Sequence, residues 1–412
     1  MSASEPHIVP AMTVPDDKRH DEYDAGLRFS LFAPTRVVFG DGCVDELGGE
    51  CQRLGLTRIL IVTDRVLRDK SDVVGRVERA LGGRLGAIYD GVTPDGGVHL
   101  IDDGAALGRE QGCDGLVSVG GGSVIDSAKG IAVVLTEGGS IRDRRGRPRL
   151  SRRQTPHIAI PTTAGTGSEV SRQLIVRDQS APRAREDRLH IEDERLIPDT
   201  ALLDPSVTLT LPAQLTAATG LDALTHAIEA LSSRHCNPIA DGMALQALRL
   251  IARWLPIACE DGHSRLARGQ MLLGAHAAGL ASAAAGVGLG HAMAHVVGAR
   301  YGVHHGTANA ICLPHVIRFN ADVLGGRYRQ VAEALGVDAD GLGDELVGEA
   351  AAQAVAHLLA RLQLPTRLRD VGVPEAALPA LADATLADGA IAANGKPVDD
   401  GRLVLGVYRN AY

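Results

Sequence analysis

The sequence predicts an α/β fold with a parallel sheet in its first half, followed by an all-α second half. Three observations predict it. Up to about Asp204, continuous apolar runs alternate with helix-length segments. Strands buried on both faces read as such runs, and regular alternation with helices implies parallel crossovers. From Leu211 to about Leu362 strand signals vanish and helical periodicity is sustained in a segment rich in Ala, Leu, His and Arg. Finally, 412 residues are more than one ordinary core organises. The expected division is a loose tail over 1–27, an α/β domain over 28–208 and a helical domain over 209–412.

The elements follow in order. The tail is polar and contains proline, and no basic segment leads into an apolar run, so it does not read as a signal peptide. Residues 35–40 read as a short strand, 58–64 as a buried strand, 73–81 as a helix, 86–90 as a second strand of the α/β pattern, 100–111 as a helix and 115–119 as a third. The loop IRDRRGRPRLSRR over 141–153 is strongly basic. It reads as a solvated surface loop, or else as an electropositive rim that attracts anions. Residues 157–171 read as a strand followed by a hydroxyl- and glycine-rich turn, and Pro/Gly punctuation after 364 leaves room for two or three short helices.

Composition narrows the function. A chain with 45% hydrophobic and 22% charged residues is of the soluble globular type, and a net charge of -8 gives no reason to expect nucleic acid. Aromatics are only 3%, so aliphatic side chains and alanine must fill the cores. The six cysteines are scattered without a CxxC spacing, which points away from a disulfide framework or thiolate metal site and towards a reducing compartment. No run reaches the roughly 18 apolar residues of a membrane span. The expected location is the cytoplasm.

Two clusters carry chemistry. In TGLDALTHAIEA, Asp222 and His226 are four residues apart in a helix-favouring run, so they share one helical face. Downstream, GLGHAMAH supplies His291 and His295, and His304-His305-Gly306 follows after a gap. A carboxylate with several imidazoles suits a divalent first-row ion such as Fe or Zn. The other cluster is GGGSVIDSAKG over 120–130, directly after a strand and opening a helix. Glycines admit a phosphate close to the backbone, and the helix start presents N–H groups and a positive dipole end. The turn TTAGTGSEVS over 162–171 offers hydroxyls to a ligand.

With IPTTAGTGSEVS, these motifs resemble the iron-containing (group III) alcohol dehydrogenase family, in order and spacing, over nearly the whole chain from about Phe32. The resemblance implies a dinucleotide-binding α/β domain, a metal-binding helical domain and an active site between them. It implies metal ligands Asp222, His226, His291 and His305, with His295 beside them approaching the substrate oxygen as the catalytic residue. Sequence chemistry does not choose between His304 and His305; the family spacing picks His305. Cofactor contacts carried over are Gly121, Gly122, Ser123 and Asp126, with Thr162, Thr163, Thr166 and Ser168 on the adjacent wall. Arg188 stands where the family usually has a cofactor-contacting lysine. Asp64, ending the first long strand, meets the adenosine ribose and would repel a 2′-phosphate, so NAD(H) is expected ahead of NADP(H). Fe2+ is expected ahead of Zn2+, and a homodimer or larger homo-oligomer fits family habit.

The implied activity is hydride transfer between nicotinamide and a small aldehyde or primary alcohol. Arg172 and the basic 142–153 loop raise an anionic aldehyde as a candidate, bearing carboxylate, phosphate or phosphonate. Competing readings are a lyase resembling dehydroquinate synthases, which use NAD transiently, and a non-catalytic metal- or nucleotide-binding relative.

Overall fold

The computed structural model describes residues 27–145, 150–178 and 188–412, with Arg188 described through its backbone alone. Most of the expected tail and the centre of the basic loop (146–149) therefore lie outside the described residues.

In chain order the first half contains β1 (Arg36–Phe39), α1 (Leu47–Arg53), β2 (Ile59–Asp64), α2 (Arg65–Lys70), α3 (Val73–Leu81), β3 (Leu85–Val92), α4 (Val98–Glu110), β4 (Gly115–Gly120) and α5 (Gly122–Glu137). Four further strands follow: β5 (His157–Pro161), β6 (Gln173–Arg177), β7 (Arg188–Glu192) and β8 (Thr200–Leu203). Six strands pair in the order β1-β8-β5-β4-β2-β3, all parallel. Alternation along the central strands builds two apolar layers. Leu60, Val62 and Leu116 pack with Ile101 and Ala105 of α4 and Val124, Ala128 and Ile131 of α5. Ile59, Ile61, Val117, Val119, Ile158 and Ile160 pack with Leu47 and Cys51 of α1 and Val74, Val77 and Leu81 of α3. Burial on both faces explains why these strands read as unbroken apolar runs.

Strand order reverses between β2 and β4: β2 leads outward to β3, whereas β4 returns to the other side of β2. Ligands of open parallel sheets bind beyond the carboxyl ends of the strands at such a switch. Asp64 ends β2 and Gly120 ends β4, so both stand at this point.

The expected strands are present, with ends shifted by one or two residues. Three strands had no sequence signal. β8 is only four residues long. β6 and β7 form an antiparallel hairpin in which Ile175 faces His190. Its buried residues, Leu174, Val176, Leu189 and Ile191, belong to the α4–α5 layer; they alternate with polar residues along β7, while Ile175 stands between the two in β6.

The second half is helical: α6 (Ala213–Leu231), α7 (Pro238–Glu260), α8 (Arg265–Ala285), α9 (Leu289–Tyr301), α10 (His305–Ala334), α11 (Asp344–Arg361), α12 (Leu378–Leu386) and α13 (Gly401–Asn410). Small residues replace the missing aromatics by letting helices approach closely. A Cβ on Gly306 would fall 2.1 Å from the Ala218 carbonyl oxygen, so the start of α10 docks onto the backbone of α6 only through a glycine. Among the described residues no single helix is long and apolar enough to cross a membrane.

Candidate metal centre and cofactor cleft

Helix α6 is buried along nearly its whole length and carries Asp222 and His226 on one face. The Asp222 carboxylate and the ring nitrogens of His226 and His291 lie within 4.8 Å of one another. His226 Nε2 and His291 Nε2 are 3.1 Å apart, and His291 Nε2 is 3.8 Å from Asp222 Oδ1. His305 is outside that tightest set, yet its Nε2 stands 3.4 Å from Asp222 Oδ1, placed there by the Gly306 contact. Two ligands each about 2.1 Å from one ion, at octahedral to tetrahedral angles, are roughly 3.0–3.4 Å apart. The 3.1 and 3.4 Å separations fit one small divalent cation, and the 3.8 Å one is wider by about 0.4 Å. Protonation at His226, His305 and Asp222 fits as well. Burial and the neighbouring His291 charge push His226 down to about 4, and burial carries His305 well below its ordinary value. Burial works against ionising Asp222, but the surrounding histidines and Asn309 hold it at about 2. Against burial, Glu229 and Asp222 hold His291 above its ordinary value; a metal requires neutral imidazoles, so its binding displaces that proton.

Two supporting residues escaped the sequence reading. Glu229, buried on α6, accepts Gly288 N–H (2.9 Å), Gly290 N–H (2.6 Å) and His291 Nδ1–H (2.6 Å). It fixes the start of α9 and turns the Nε2 lone pair of His291 into the cluster. The signal was available: Asp222, His226 and Glu229 follow at i, i+4 and i+7. Asn309, one turn after His305, donates to Asp222 Oδ1 at 2.8 Å and lies 3.2 Å from His305 Nε2.

His295 stacks on His305 with ring centroids 5.4 Å apart, and its Nδ1 is 3.1 Å from Asp388 Oδ2. It is partly exposed at the edge of the cluster. His190, which no motif singled out, is solvent-accessible on β7. Burial by the surrounding protein nevertheless pushes its imidazole down, and charges on Glu192, His295, Asp388 and Asp126 act on it. That combination describes the wall of a cleft. His304 is exposed, whereas His315 is half-buried.

At the sheet, no side chain caps the start of α5, where Gly121 leads into Gly122 and Ser123. The hydroxyl turn packs against these glycines: a Cβ on Gly121 would meet Thr163 Oγ1 at 3.1 Å, and one on Gly122 would meet Thr166 Cγ2 at 2.7 Å. Thr162 N donates to Gly120 O, and Thr166 Oγ1 donates to buried Ser168 Oγ at 3.1 Å. The two motifs thus form one surface. Some expected contacts hold the protein itself. Ser123 Oγ accepts Asp95 N–H at 3.0 Å, and Asp126 Oδ2 accepts Ile175 N–H at 3.1 Å, tying the hairpin to α5. Asp64 Oδ1 accepts Leu67 N–H at 2.8 Å as the N-cap of α2. Arg188 pairs through its backbone with Arg177; its side chain lies outside the described residues.

The basic loop is not an unopposed positive rim. Arg142 and Arg145 pair with Asp178, Arg144 with Glu137 and Arg153 with Asp199, while Arg152 donates to Thr136 O. Arg172 pairs with Glu192 at 2.7 Å. Glu137 just before the loop, and Asp178 and Asp199 far along the sequence, neutralise this charge.

A glycine turn at the sheet's switch point and a carboxylate–imidazole cluster in the helical half define a class: oxidoreductases that use a dinucleotide and a metal ion. Residues 34–205 match the family model described as iron-containing alcohol dehydrogenase, and residues 216–412 match the model of the Fe-containing alcohol dehydrogenase family, C-terminal. The chain is 37% identical over 389 residues to 1,3-propanediol dehydrogenase of Citrobacter freundii, covering 93% of this chain and 99% of that one. It is 36% identical over 348 residues to the NAD-dependent methanol dehydrogenase of Bacillus methanolicus, covering 84% and 90%. A crystal structure of 1,3-propanediol oxidoreductase superposes with a TM-score of 0.89 at 36% identity, covering 94% of this chain and all of that one. The chain belongs to the iron-containing alcohol dehydrogenase family, and it is an alcohol-dehydrogenase-type oxidoreductase.

Proposed function

We propose that the protein interconverts small aldehydes and primary alcohols with NAD(H) in preference to NADP(H), using one divalent ion, Fe2+ ahead of Zn2+, held by Asp222, His226, His291 and His305. The convergence of the first three donors within 4.8 Å carries this reading. When bound, the nicotinamide supplies hydride and the cation supplies Lewis-acid polarisation of the carbonyl. The remaining work falls to this chain's residues. Glu229 orients His291 through the 2.6 Å bond to Nδ1. Gly121 and Gly122, backed by Thr163 and Thr166, offer a backbone surface for the pyrophosphate, with Ser123, Asp126, Thr162, Ser168 and Arg188 around it. His295 delivers the proton to the oxygen reduced from the carbonyl, and Asp388 at 3.1 Å steadies its imidazole. A carboxylate at Asp64 favours a ribose with a free 2′-hydroxyl. The NAD-dependent relative supports the same preference.

The described arginines of the basic loop, and Arg172, already have carboxylate or carbonyl partners. That pairing favours neutral aldehydes over carboxylate, phosphate or phosphonate analogues. Six free cysteines support a cytoplasmic setting. We read the chain as two domains, 28–208 and 209–412, with the site between them.

The test is metal analysis of purified protein together with NADH and NADPH oxidation on neutral and anionic aldehydes of equal length. Net NADH consumption, one equivalent of metal and a higher kcat/KM for the neutral member are expected. Turnover without net NADH change would instead favour the lyase reading, and absence of turnover the non-catalytic one.

A further inference from the structure

The segment 162–171 is gripped from four sides. Thr163 and Thr166 back Gly121 and Gly122, as above. On the opposite side, a Cβ on Gly165 would fall 2.8 Å from the Thr219 carbonyl oxygen, one helical turn before Asp222 on α6. Gly167 meets Gly279 of α8 backbone to backbone: a Cβ on Gly279 would lie 2.7 Å from Gly167 Cα. Beyond it, Glu169 Oε1 lies 3.1 Å from His276 Nδ1, also on α8, and both side chains are more than nine-tenths buried. Among the described residues His276 Nε2 has no hydrogen-bond partner. At the far end, buried Lys129 of α5 donates to Ser171 O, Ser171 Oγ and Gln173 O at 3.0, 3.0 and 2.7 Å. One short turn therefore touches the glycine turn, the metal-bearing helix α6 and helix α8.

Glycines at 165 and 167 leave no compliant side chain to absorb a displacement. Whatever sets the height of this turn also sets the separation of glycine turn and metal cluster. A buried carboxylate is held only where a partner compensates it, and His276 is that partner.

We propose that Glu169 and His276 are positioning residues: their buried contact seats the 162–171 turn on α8 and so fixes the distance between cofactor surface and metal cluster. The inference rests on the proposed function, in which the cofactor lies on the glycine turn and the ion in the cluster. Hydride transfer needs reacting atoms about 3–3.5 Å apart, and a displacement of about 1 Å can cost about 100-fold in rate.

The experiment compares wild type, Glu169→Gln, His276→Ala and His276→Gln as metal-loaded full-length enzyme. Measured quantities are metal content, NADH Kd, kcat, Tm and the kinetic isotope effect with NADH deuterated at the transferring position. For His276→Ala we expect kcat to fall about 10- to 100-fold, with metal content and NADH Kd nearly unchanged and a larger isotope effect. His276→Gln, which keeps a donor, restores part of the rate. Should His276→Ala not fold, Gly279→Ala, which displaces the turn from the same helix α8, is expected to give the same signature. Variants that lose Tm but keep kcat and isotope effect overturn the proposal, as does a rate loss that follows metal loss. A wild type that binds metal and NADH yet reduces no aldehyde, or that binds neither, sinks the proposed function itself and this inference with it.

Discussion

Glu229 Oε2 and His291 Nδ1 are 2.6 Å apart although 62 residues separate them in sequence. The same carboxylate holds the N–H groups of Gly288 and Gly290. One residue therefore sets both the orientation of His291, a proposed metal ligand, and the entry of the helix that carries it. Replacing Glu229 by Gln keeps the shape but gives the amide only one acceptor oxygen for three donors. Outer partners of metal-bound histidines are typically worth 10- to 100-fold in affinity. Glu229→Gln is expected to weaken Zn2+ or Fe2+ binding by about that factor, as read by chelator competition. An unchanged affinity would remove Glu229 from the site.

Gly306 gives a second, sterically argued prediction. Its missing Cβ would sit 2.1 Å from Ala218 O, a backbone atom that cannot rotate away. Gly306→Ala must move α10 off α6, and His305 moves with it. Overpacking of this kind costs about 1–3 kcal/mol. A lowered Tm together with weakened metal binding is expected. Gly336→Ala is a useful contrast, because nothing lies within 4 Å of its Cβ and only its positive φ of 84° opposes the change. It should lower Tm without affecting the metal.

Asp222 and His226 were legible as a pair because one helix spaces them at i and i+4, whereas His305 was picked over His304 by the family resemblance alone. The central parallel strands β2, β4 and β5 were legible because burial on both faces makes them largely apolar. Other features depend on contacts that a linear pattern does not encode. Glu229 sat inside a recognised motif, but its role needs the start of α9 folded against α6. The arginines of 142–153 looked unopposed until Asp178, Glu137 and Asp199 came beside them. The β6–β7 pair was missed because each strand is only five residues long and the two flank the charged stretch 178–187. Asp64 was expected at the ribose, and the structure adds that it caps α2.

That double use of Asp64 makes the cofactor preference testable without confusing it with stability. Asp64→Ala removes both the charge and the cap on Leu67 N–H, and loss of such a cap costs about 1 kcal/mol. Asp64→Ser keeps a capping oxygen and removes the charge alone. If the carboxylate is what excludes a 2′-phosphate, Asp64→Ser should raise the NADPH-to-NADH ratio of kcat/KM about 10-fold or more, with Tm close to wild type. A ratio that stays put in both variants would place the discrimination elsewhere.

His157, on β5, gives a pH-dependent stability that does not involve the metal. Its Nε2 lies 2.7 Å from Ser118 Oγ, and burial, reinforced by the charge of Lys129, pushes the imidazole down to about 3. Unfolded, it returns to an ordinary value of about 6.5. Above that value both states are neutral and the residue contributes no pH dependence. Below it the unfolded chain binds a proton that the folded chain refuses, so stability falls by about 1.4 kcal/mol per pH unit until the folded value is reached. Between pH 7 and pH 5 the loss from this residue alone is about 2 kcal/mol. Native-state hydrogen exchange of the β4 and β5 amides, corrected for intrinsic rates, reports it locally. His157→Gln should show a slope shallower by that amount over the same interval. Parallel slopes for the two proteins would mean that His157 is protonated within the fold.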